Sequence, residues 1–165
     1  MILPIYTLFH TLLSLIAIFT GFVVLLGLLT SKRRSGWTNW FLVTAVATTV
    51  TGFFFPFHGF TPAIGLGIIS LPVLAAALFA NYSRQLAGSW RWIYAVAASL
   101  ALYFNVFVLI VQSFQKIPPL HALAPTQTEA PFQVAQLVAL LLFVLLTILA
   151  TIRFHPERNQ ALTTN

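Results

Sequence analysis

Few groups in this 165-residue chain could do chemistry: four histidines (His10, His58, His121 and His155), two acids (Glu129 and Glu157) and no cysteine. Without thiols there is no disulfide, thiolate nucleophile or thiolate metal site. Two neutral imidazoles on different helices can ligate a b-type haem axially, and His10 with His58 is the same-side pair close to membrane depth. Their heights, read from chain position, nevertheless differ by about 10 Å at the helical rise, and axial ligands must oppose each other closely. A Zn or Cu site from His10, His58 and His121 has suitable donors but no local spacing motif. A quinone or lipid-like molecule lying between helices would bond its polar head to His10, Asn105 or Tyr103. Hydrolytic chemistry gets no support: the chain has no G-x-S-x-G elbow, no H-E-x-x-H pair and no phosphate-binding glycine loop.

The elements that must position these groups follow from composition. With 59% hydrophobic and 6% charged residues, a chain of this length cannot enclose its apolar groups in a water-soluble body. Apolar runs of about 20 residues match the hydrocarbon thickness when helical, and each helix satisfies its own backbone. The expected fold is an all-α membrane protein, a single bundle of five transmembrane helices. The net charge of +6 does not indicate nucleic acid, because the basic residues sit singly or in threes beside apolar runs and no soluble reading module is present.

The expected spans are 3–29, 37–57, 61–80, 92–112 and 132–151, with an outer loop at 113–131. Seven basic residues (Lys32, Arg33, Arg34, Arg84, Arg91, Arg153 and Arg158) then fall on one side and only Lys116 on the other. The positive-inside preference places the N-terminus outside and the C-terminus in the cytoplasm. The alternative is four crossings with one run lying in the interface. Pro72, with Gly65 and Gly67, predicts a bend in the third span.

Helical spacing puts His10, Ser14, Ala17 and Gly21 on one face, Thr44, Thr48 and Thr51 on another, and Tyr94, Ala98, Ala101 and Asn105 on a third. Small and hydroxylated residues so arranged make packing seams. His10 and Asn105 are expected to hydrogen-bond each other in the outer half, where Gln136 joins them, while His121 is solvated. Glu129, three residues after Thr126, is expected to cap the fifth span. The segment APTQTEAP is expected to fold over the bundle.

The segments GWTNWFLVTAVATTVTGFFFPF, SWRWIYAVAASLALYFNVFVLIVQSF and LAPTQTEAPF resemble a group of small bacterial integral membrane proteins. That resemblance covers nearly the whole chain and implies a bacterial inner-membrane location. It carries no activity, cofactor or residue role. Taken together, the residues point to a non-enzymatic bundle in the lipid bilayer that binds partner helices or an apolar ligand, as an accessory subunit or homo-oligomer. The competing reading is a redox-linked protein holding haem or quinone through His10, His58 and Asn105.

Overall fold

Proline and hydroxyl residues punctuate the chain where its helices begin. A computed structural model describes residues 2–56, 59 and 61–155, and among them there is no strand. Helix α1 covers Ile2–Leu29, with Pro4 in its first turn, where a missing amide hydrogen costs least. It ends in a Schellman-type turn: Ser31 takes φ of 55° and Lys32 N donates to Gly27 O at 2.8 Å. Helix α2 (Ser35–Gly52) follows at once. Thr61 then caps α3 (Pro62–Leu78), its hydroxyl accepting from Ile64 N, with Pro62 at the first position. The helix runs on through Pro72 and widens into a π turn, Phe79–Ser83.

Helix α4 (Trp90–Lys116) is stopped by Ile117, whose extended backbone is what a following proline demands. The short α5 (Pro118–Leu123) and then α6 (Ala130–Arg153) complete the fold. Several boundaries differ from expectation, the second helix ending at Gly52 and not at 57. The fourth helix continues four residues beyond 112, and the loop expected at 113–131 contains α5, because Pro118 and Pro119 are well suited to a first helical turn.

Among the described residues, four helical stretches are long and apolar enough to cross a membrane: Leu3–Leu29, Pro62–Ser83, Trp90–Lys116 and Ala130–Arg153. The chain is thus a helical, multi-pass membrane protein. Helix α2, expected as a further crossing, is shorter and carries Thr38, Asn39, Thr44, Thr48, Thr49 and Thr51, which lower its apolar content.

The five long helices alternate in direction. One end of the bundle joins the finish of α1, the start of α2, the finish of α3, the start of α4 and the finish of α6. There Tyr82 Oη donates to Asn39 Oδ1 at 2.6 Å, Arg33 to Asn81 Oδ1 at 3.4 Å, and His155 N to Ser31 Oγ at 2.7 Å. The seams are those that spacing indicated. Ala17, Phe41, Leu42, Tyr94, Ala98, Ala101 and Leu102 are buried together, and Gly21 lets α1 approach α2 and α4 closely. A Cβ added at Gly21 would lie 2.6 Å from Leu102 Cδ1 and 2.9 Å from Phe41 Cε2. Interfaces between membrane helices are built from such small residues because lipid gives apolar side chains no reason to leave it.

Candidate functional site

His10 is positioned by two neighbouring helices. Its Nδ1 lies 2.8 Å from Thr51 Oγ1 on α2, and its ring meets Phe55 edge-on at 5.0 Å between centroids. Tyr6, one turn earlier on α1, donates to Thr51 O at 2.5 Å and packs on the same Phe55 ring at 4.9 Å. Gly52 lies beside the ring, where an added Cβ would make an ordinary 3.7 Å contact with His10 Cε1.

The imidazole tautomer turns on where Thr51 sends its hydroxyl proton. Thr51 has one hydroxyl proton, and it goes back along the helix to Ala47 O at 2.6 Å. With that proton so engaged, Thr51 Oγ1 is free to accept from His10, the pairing in which the imidazole holds its proton on Nδ1. Nε2 is left as a lone-pair acceptor, with no hydrogen-bond partner among the described residues. A neutral imidazole with Nδ1–H anchored on an oxygen and Nε2 open is the arrangement that ligates a metal or haem iron, or accepts a proton from a hydroxyl.

Among the described residues, none of the other site candidates singled out by sequence hydrogen-bonds to the His10 ring. Asn105 does not bond His10; its Nδ2 donates to Ala101 O of its own helix at 2.9 Å. The physical reason is local: a helical asparagine reaches the carbonyl one turn back without any partner helix. His58 lies outside the described residues, so the His10–His58 pair has no geometry to report. His121 is exposed on α5, and among the described residues no three histidines and acids come together as a metal-binding group. Tyr103 packs among Phe104, Phe107 and Phe143. Gln136 donates to Phe107 O at 3.3 Å, and its buried Oε1 has no partner. Expectation placed one polar layer in the outer half; the structure divides it between the α1–α2 seam and the α4–α6 seam.

The loop between α4 and α6 is tied down by side chains. Gln127, with φ of 61°, donates to Val111 O at 2.9 Å and accepts from Gln115 at 3.4 Å. Glu129 stands at the N-cap of α6, as spacing indicated, but its carboxylate turns backward instead of capping the helix. It accepts from Thr126 Oγ1 at 2.8 Å, Thr126 N at 3.3 Å and Thr128 N at 3.1 Å. Slight desolvation pushes the carboxyl up, and these hydrogen bonds outweigh it, holding Glu129 below the ordinary carboxylate range.

Sequence reasoning missed the partner of His10. Thr51 was on the threonine face of α2, but nothing in the sequence says which α2 residue stands level with His10. It also missed the polar floor at the opposite end, where Tyr94 Oη donates to Thr38 Oγ1 at 3.2 Å between two buried side chains. Fold and site together define the class: a multi-pass helical membrane protein with one anchored imidazole on the seam between its first two helices. Compared with known protein families, with curated proteins and with solved structures, the chain matches none.

Proposed function

We propose that the protein works by binding: a non-enzymatic bundle of five membrane-crossing helices, N-terminus outside and C-terminus cytoplasmic, in a bacterial inner membrane. It serves as an accessory subunit or homo-oligomer that receives partner helices or an apolar ligand. Two features support the five crossings. Helix α2 at 18 residues is about 27 Å long, close to the hydrocarbon thickness, and it runs antiparallel between α1 and α3 within the bundle.

The observation that carries the binding role is the packing of α6. Phe143 and Ala150 are its buried residues. Leu137, Leu141, Leu145, Ile148 and Ile152, spaced by four, four, three and four, form one exposed stripe along the membrane-level surface. Because the chain has no cysteine, single cysteines at Leu141 and Leu145 can be tested in native membranes without background. The expected result is an oxidative dimer, or shielding from a lipid-soluble maleimide that is lost on purification. Full labelling in the membrane with no cross-link removes the binding role of this face. Cysteines at Lys32 and His121 should label from opposite sides, and labelling from one side removes the five-crossing layout.

A second reading is favoured by one observation, the open Nε2 of His10. It makes the outer end of the α1–α2 seam a place for a haem iron or a quinol hydroxyl, with His58 and Asn105 as further candidates. Protein purified from a haem-replete host should then show a Soret band that His10→Leu abolishes. A colourless wild-type protein that also fails to retain quinone ends this reading.

A further inference from the structure

At the end of the bundle away from His10, six cations gather with almost nothing to balance them: Lys32, Arg33, Arg34, Arg84, Arg91 and Arg153. The chain has two acids. Glu129 stands at the far end of α6, about 36 Å from Arg153 along 24 helical residues, and Glu157 lies outside the described residues.

Three of the six are held without a carboxylate. Arg33 donates to Asn81, Arg91 donates to the Phe154 carbonyl, and Arg84 lies 5.4 Å from the ring centroids of both Phe79 and Trp90. Lys32 and Arg34 are exposed. With Arg33 they rim a narrow cleft whose polar wall is made by Thr38, Asn81 and Tyr94. Helix α2 starts at this rim with no side-chain cap from Arg34, so its first amides add partial positive charge.

Two residues further along, the surface changes character. An open, shallow groove runs between Ile16, Phe19 and Thr20 of α1 and Gly36, Trp37 and Trp40 of α2. Phe19 and Trp37 meet edge-on at 6.0 Å, and Trp37 and Trp40, one turn apart, are exposed. Arg34 of the cationic rim and Gly36 of the aromatic groove are two residues apart in the chain.

We propose that this surface binds an anionic phospholipid, its phosphate among Lys32, Arg33 and Arg34 and one acyl chain along Phe19, Trp37 and Trp40. Charge complementarity selects the occupant. A neutral lipid would fill the groove and leave the cations unmatched; a soluble phosphate would match the cations and leave the groove bare. A charged lipid answers both, and basic pockets beside membrane helices are where such headgroups bind. The inference needs only that the chain sits in a membrane, and it is independent of any partner on α6.

The test uses the full chain reconstituted in phosphatidylcholine vesicles containing a small share of a lipid with a photoactivatable acyl chain, either phosphatidylglycerol or phosphatidylcholine. Labelled peptides are mapped by mass spectrometry. The expected result is about tenfold more labelling of the segments bearing Phe19, Trp37 and Trp40 by the anionic probe than by the neutral one, given the attraction of several surface cations. In K32Q/R34Q that preference should collapse to near unity while labelling by the neutral probe persists, which shows that the groove is still folded. Equal labelling by both probes in the wild type, or an undiminished preference in K32Q/R34Q, overturns the proposal. So does displacement of the anionic probe by free glycerol phosphate, which would make the ligand a soluble phosphate.

Discussion

Replacing Gly21 by alanine sets two effects of known sign against each other. In an exposed helix, Gly→Ala stabilises by about 1 kcal/mol through reduced backbone freedom. At Gly21 the new Cβ would stand 2.6 Å from Leu102 Cδ1, about 0.8 Å inside an ordinary 3.4 Å contact, and 2.9 Å from Phe41 Cε2. Neither neighbour has room to give, since Leu102 is 1% and Phe41 0% exposed. Overpacking of a closed core costs about 1–3 kcal/mol, and two clashes in one place put this site in the upper part of that range. The net expectation is a loss of about 1–2 kcal/mol, or a fall in Tm of about 2–8 °C for a chain of this size. Thermal unfolding in a mild detergent, followed by tryptophan fluorescence, measures it. Two companion substitutions separate sterics from helix propensity. At Gly36 an added Cβ meets nothing within 4 Å, so Gly36→Ala should leave Tm unchanged or raise it. At Gly67 it would meet Phe53 Cζ at 2.9 Å, but Phe53 is 40% exposed and can swing aside, so Gly67→Ala should fall between the other two. If Gly21→Ala melts at or above Gly36→Ala, the close approach of α1 to α2 and α4 is wrong.

The polar contacts make two further predictions. Tyr94→Phe removes a hydrogen bond between buried side chains and leaves Thr38 without it, so the same assay should show a loss of about 1–2 kcal/mol. Asn105→Leu should cost less than Tyr94→Phe, because Asn105 bonds a carbonyl that its own helix ladder already serves; a larger loss for Asn105→Leu would mean that it reaches across to another helix. In the loop between α4 and α6, the folded carboxyl of Glu129 titrates below its unfolded value, so its hydrogen bonds are fully stabilising above the ordinary carboxylate range and are lost as pH falls through the depressed folded value. Proteolytic cutting near Thr126–Thr128 in intact membranes should therefore quicken on acidification below that range, and Glu129→Gln should flatten the dependence. A loop cut equally fast at every pH in the wild type counts against the turn built on Glu129.

Much of the architecture was legible in the order of residues because its causes are local. Apolar runs long enough to span a bilayer identify themselves by length, and four of them became helices of that size. Pro62 and Thr61 start a helix through contacts within four residues, and Ile117 stops one because Pro118 follows. The small-residue faces at Ala17 and Gly21 and at Ala98 and Ala101 marked the seams, since close approach needs small side chains wherever it occurs. Helix α2 was the hardest to read, its six threonine and asparagine residues serving seam and site at the expense of apolar character.

What the order of residues left open was decided when helices met. His10 and Thr51 are 41 positions apart, and their pairing depends on the rotation and height of α1 against α2. Asn105, on an equally polar stripe, turned to its own backbone instead. Lys32, Arg34 and Trp37 were visible as a basic turn beside interfacial aromatics, yet only the packed bundle put Asn81 and Tyr94 behind the cations. Periodicity determines which face of a helix is buried. Which residue stands opposite which is set by side chains interlocking across the seam, as Leu102 and Phe41 do over Gly21, and that information is shared among helices far apart in the chain.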